Sequence, residues 1–60
     1  MTTYVIVRFF KDATTVTYRA IATIQDIFAA CAKHSENPEC IAITVYNAET
    51  GEDVLKYKRG

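Results

Sequence analysis

Sixty residues, half of them hydrophobic and 23% charged, describe a chain that folds as one domain at most and excludes disordered or low-complexity composition. A chain this short buries only about 60% of the surface its unfolded form exposes, so its stability is marginal and contact with another surface helps it. Seven basic residues balance seven acidic ones, which excludes a general electrostatic pull toward nucleic acid or anionic membrane.

No run approaches the roughly 20 apolar residues of a membrane span, and the first residues show no basic segment followed by an apolar one, as a secretory signal requires. The expectation is a soluble, cytoplasmic chain with no membrane partner and no small-molecule substrate. Cys31 and Cys40 are the only cysteines. They flank one helix-to-strand connection and can come within bonding range, yet a cytosolic pair is ordinarily reduced.

Thr3 to Phe10 (TYVIVRFF) combines β-branched and aromatic residues without Gly, Pro, Asn or Asp, and predicts a strand apolar on both faces. Lys11 to Thr14 predicts a turn, and Thr15 to Ile21 a second strand. With Asp12 and Ala13 as a two-residue loop, Phe9 faces Val16, Val7 faces Tyr18 and Val5 faces Ala20. Asp-Ala is a weaker hairpin signal than Asp-Gly, so a longer loop with a shifted register is the alternative.

Thr23 is suited to cap a helix, with Asp26 three residues on. Ile24, Ile27, Phe28 and Cys31 then form one stripe able to lie on a sheet. Lys33 and His34 suit the helix end, and Ser35 to Pro38 stop it. Cys40 to Asn47 (CIAITVYN) is a third strand, again apolar on both faces. Ala48 to Glu52 turn the chain, with Gly51 free to take positive φ, and Val54 to Lys58 form a fourth strand. Pairing Asn47 with Asp53 sets Val45 against Leu55 and Ile43 against Tyr57, with Tyr46 opposite Val54 on the reverse.

The resulting fold class is α+β, a single ββαββ domain over residues 1–60 with one helix packed on a four-stranded, largely antiparallel sheet. Strands apolar on both faces belong in the middle, which predicts the order 2-1-3-4 with a right-handed crossover through the helix. The alternative is 2-1-4-3, the order of small immunoglobulin-binding domains and of β-grasp folds. In either order the helix is expected over Val5, Val7, Phe9, Val16, Tyr18, Ile41, Ile43, Val45, Leu55 and Tyr57. The opposite face is then expected to hold Tyr4, Ile6, Arg8, Phe10, Arg19, Tyr46, Val54 and Lys56, with Thr17, Ile21 and Lys58 around them.

Those eight residues are the candidate partner-binding set, because aromatic residues and Arg are what interface centres favour and a contiguous apolar patch marks interaction surfaces. The function expected is a non-catalytic interaction domain, of adaptor or inhibitor type, that binds a protein partner or self-associates as a homo-oligomer through this face. The alternative is single-stranded nucleic-acid binding, with Tyr4, Phe10 and Tyr46 stacking on bases and Arg8, Arg19, Lys56 and Lys58 meeting phosphates. Zero net charge and the lack of an RNP-like aromatic pattern weigh against it.

No catalytic residue, metal site or cofactor is expected. Cys31 and His34 share a helix face, a minimal nucleophile and base, but Cys31 reads as a small buried hydrophobe and His34 as a helix-terminal cation. With Cys40 they still fall short of the four ligands of a structural zinc site.

Two resemblances are confined to short features. Leu55 to Gly60 resembles the basic, Gly-ended tail of ubiquitin-like modifiers, but carries one terminal Gly and follows its strand closely. The size and element order are similar to those of small phage or mobile-element proteins that inhibit host factors, anti-CRISPR proteins among them. That likeness implies action by occupying a partner's surface.

Overall fold

The computed structural model describes residues 1–59; Gly60, the end of the tail compared with ubiquitin-like modifiers, lies outside the described residues. The elements are β1 (Thr2–Phe10), β2 (Thr15–Ala22), α1 (Ile24–Ser35), β3 (Cys40–Asn47) and β4 (Asp53–Lys58). They form one antiparallel four-stranded sheet in the order β2-β1-β3-β4. The two strands apolar on both faces, β1 and β3, are therefore central, as their composition requires.

Local chemistry accounts for the boundaries. Thr23 sits in extended backbone and its hydroxyl accepts the amide of Asp26 at 3.2 Å, satisfying one of the orphan donors at the helix start. At the other end, the amides of Glu36 and Asn37 close tight turns onto Lys33 and His34 carbonyls, and Pro38 follows. Between β3 and β4, the Asn47 carboxamide oxygen accepts the amides of Glu49 and Thr50, and Gly51 turns the chain at φ 79°. That φ lies in the left-handed region, which glycine enters at no steric cost.

The register of the first hairpin departs from the two-residue loop. Phe9 pairs with Thr15, Val7 with Thr17, Val5 with Arg19 and Ile6 with Tyr18. The loop is one residue longer: the Phe10 amide donates to the Thr14 carbonyl, the Ala13 amide closes back on the Phe10 carbonyl, and Ala13 takes φ 70°. Asp12 stabilises it by accepting both the amide and the hydroxyl of Thr14, at 3.1 and 2.6 Å, and those donors hold its carboxyl below the usual range. This is the three-residue hairpin with a left-handed last residue, here supplied by alanine.

Because side chains alternate with period two, that single residue reverses β1 relative to its neighbours. Tyr4, Ile6 and Phe10 face the helix, and Val5, Val7 and Phe9 face away. The core consists of Tyr4, Ile6, Ile27, Cys31, Cys40, Ile43 and Val45, and Phe10, Tyr18, Ala20, Ala22, Ile24, Val54, Leu55 and Tyr57 pack around it. The observed arrangement buries the bulkier set of Tyr4, Ile6 and Phe10 under the helix. β2 alternates as expected, but Val16, expected under the helix, is 43% exposed because the helix lies closest to β3; the faces of β3 and β4 stand as expected outside their bulges.

Two β-bulges adjust the rest. One falls between Phe9 and Phe10 against β3, where Ile41 is the extra residue and Cys40 is turned into the core. The other falls between Val45 and Tyr46 against β4, so that Tyr46 pairs with Asp53 and the extra residue, Val54, packs against the core beside Leu55. On the helix, Ile27 and Cys31 are buried and Ile24 is partly buried, whereas Phe28 is 46% exposed, so the stripe on the sheet is narrower than its spacing implies.

Candidate interaction face

One face of the sheet carries no helix, and its side chains fall in regular rows. Arg19, Val5 and Tyr46 lie side by side, with Asp53 at the end of the row. The next row is Thr17, Val7, Thr44 and Lys56, and the next Thr15, Phe9, Ala42 and Lys58. The middle of this face is apolar along its length. Val5, flanked by Arg19 and Tyr46, is only 4% exposed even though no helix covers it, whereas Phe9 is 37% and Ile21 70% exposed.

Cations flank the apolar strip on both sides. Arg19 stands on β2 at one edge, and Lys56 and Lys58 on β4 at the other. Lys56 lies 3.3 Å from the carboxylate of Asp53 with both groups solvated, a geometry worth little to stability. A depression of about 340 Å³ opens beside the lysines, lined by Ala42, Thr44, Lys56, Tyr57, Lys58 and Arg59 among others. The chemistry on offer is an apolar strip for burying side chains, with ammonium and guanidinium groups at its rim for carboxylates.

Of the eight residues expected on this face, Arg19, Tyr46 and Lys56 are there. Tyr4, Ile6, Arg8 and Phe10 are not, for the longer loop turns them toward the helix; Ile6 is fully buried and Tyr4 8% exposed. Val54 is not there either, because the bulge turns it inward. The same bulge sets Asp53 opposite Tyr46, which places one acidic group on the face. Val5, Val7 and Phe9 take the vacated places. The signal for them lay in the loop, where Asp12 followed by Thr14 favours an Asx turn over a two-residue hairpin.

The reoriented Arg8 belongs to a second cluster, beneath the C-terminal turn of α1. Its guanidinium lies 5.0 Å from the centre of the Phe10 ring, and its buried Nε has no hydrogen-bond partner. The Tyr18 hydroxyl meets His34 Nε2 at 2.7 Å, and the two rings pack edge to face. Burial, with Arg8 nearby, lowers the His34 pKa, so at neutral pH the imidazole is uncharged and shares one hydrogen bond with the phenol, its direction set by the tautomer. Burial and the neighbouring Cys40 push the Cys31 thiol up, away from the thiolate a nucleophile needs. His34 is thus occupied by Tyr18, and the sulfur three residues earlier is protonated.

Arg59 has a structural task. Its guanidinium donates to the carbonyls of Cys40, Ser35 and Asn37, and its amide to that of Ile41, tying the chain after β4 to the helix end. Cys31 and Cys40 are free, buried thiols. Among the described residues, no group of three His, Cys, Asp or Glu side chains is placed to hold a metal ion, and no helix is long and apolar enough to cross a membrane.

The fold and the face together define a small α+β sheet protein with one side of its sheet uncovered. Comparison with known proteins found no matching family model, no matching curated protein and no matching solved structure.

Proposed function

We propose that this chain is a non-catalytic interaction domain that binds a protein partner through the open sheet face, working in the cytoplasm as an adaptor or inhibitor of the kind small mobile elements encode. The observation that carries the reading is the apolar strip of Val7, Phe9 and Tyr46, laid over a buried Val5, with cations on both flanks. A central apolar patch with a charged rim is how protein interfaces are built, and Arg19, Lys56 and Lys58 favour a partner with acidic residues around its own apolar anchor. The two free buried cysteines fit a reducing compartment.

The test is capture of the partner by the wild-type chain and by two face variants, Phe9→Asp and Lys58→Glu. Both positions are exposed, so each variant keeps the circular dichroism of the wild type. Each is expected to lose the captured protein, the first by placing a charge in the strip and the second by reversing the rim. Capture of the same protein by both variants refutes the proposal. So does tight, steeply salt-dependent binding of a labelled single-stranded oligonucleotide with no protein captured, which assigns the face to base stacking on Phe9 and Tyr46.

A further inference from the structure

The sheet has two edges, and only one is guarded. Hydrogen bonds from the Phe10 amide to the Thr14 carbonyl and from the Ala48 amide to the Thr3 carbonyl set the phase of the ladders. Even-numbered residues of β1 bond to β2 and odd-numbered ones to β3. Through the β1–β2 register, Val16, Tyr18, Ala20 and Ala22 are committed to β1, and Thr15, Thr17, Arg19 and Ile21 hold their N–H and C=O groups out from the edge.

On β4 the outward residues are Val54, Lys56 and Lys58, interrupted by a bulge and carrying two lysines, the devices that discourage edge pairing. On β2 there is no proline, glycine or bulge, and Arg19 is the single charge. The helix lies closest to β3, which leaves Val16 43% and Ile21 70% exposed on the two faces of β2.

We propose that β2 pairs with β2 of a second copy of this chain, antiparallel, about a two-fold axis through Tyr18. Only this register uses every outward group. Thr15 lies opposite Ile21 of the second copy and Thr17 opposite Arg19, each twice by symmetry, giving about eight inter-chain hydrogen bonds at two per pair. Centring on Arg19 instead sets two guanidinium groups directly opposite one another, and centring on Thr17 leaves Ile21 unpaired. The neutral chain carries no net repulsion against its copy. The product is an eight-stranded sheet with both helices on one side and two open faces continuous on the other.

The full chain is examined by light scattering over a concentration series and by amide hydrogen exchange, beside Thr17→Lys and Thr17→Glu. The wild type is expected to dimerise, with the amides of Thr15, Thr17, Arg19 and Ile21 protected. Thr17→Lys sets an ammonium opposite Arg19 of the second copy and weakens the dimer about tenfold, exposing those four amides; Thr17→Glu keeps or tightens it. Thr17 is exposed, so both variants retain the fold. A chain that is monomeric at all concentrations overturns the proposal, as does a dimer in which the four amides exchange as freely as in Thr17→Lys. A strict monomer leaves the open-face reading intact, so the two fail separately.

Discussion

Ile6 tests the orientation of β1 most sharply. It is fully buried, pairs with Tyr18 on one side and Val45 on the other, and belongs to the same cluster as Ile27 and Cys31 of the helix. Truncating it to alanine removes three carbons from a site walled by strands and helix, a change that costs about 2–5 kcal/mol. A domain of this length has about 3–9 kcal/mol in all, so Ile6→Ala removes a large fraction of it. At about 3 kcal/mol the midpoint falls by roughly 12–24 °C. Phe9→Ala deletes a larger side chain, but from the open face, where the ring is already 37% exposed, and costs about 1 kcal/mol. Urea and thermal unfolding followed by circular dichroism read both variants. If Phe9→Ala proves the more damaging, β1 faces the other way, with Phe9 in the core and Ile6 on the open face.

Ala13→Gly is expected to stabilise the chain by about 0.5–1 kcal/mol in urea unfolding, because alanine at φ 70° carries a left-handed strain that glycine does not. Arg59→Ala strips the guanidinium from three carbonyls near the helix end and is expected to lower stability by about 1–3 kcal/mol, read by the same assay. Lowering pH is expected to destabilise the protein through His34. Its folded pKa lies below the unfolded value, so the unfolded chain binds the proton first; stability is complete above the ordinary histidine range and declines as pH falls through it. Unfolding midpoints at pH 7.5 and 5.5 check this, and in His34→Asn the contribution from this residue is absent.

Most of the architecture is legible in local composition. The strands, the Thr23 cap, the helix, the Gly51 turn and the order β2-β1-β3-β4 follow from β-branched runs, capping chemistry and the burial demanded by strands apolar on both faces. The orientation of β1 is not, and the reason is physical. Its odd and even residues are both apolar enough to line a core, so the pattern does not choose between them, and the choice passes to the loop. There Ala13 adopts a conformation that alanine rarely takes, held by Asp12 and Thr14. The two bulges have no compositional mark, so Val54 reads as belonging to the open face and Ile41 to the core. The site suffered accordingly: Arg19, Tyr46 and Lys56 on the other strands could be read in advance, while every β1 residue of the face was exchanged for its neighbour. The apolar and cationic character of the surface survived because it depends on composition and not on which β1 residues supply it.

Whether the open face is where this protein meets its partner is decided by site-specific photocrosslinking in cells that express the chain. A photoreactive phenylalanine analogue replaces Phe9 on the open face or Phe28, which is 46% exposed on the helix, as the control. A discrete adduct with another protein is expected from position 9 and none from position 28. An adduct from position 28 with none from position 9 contradicts that expectation.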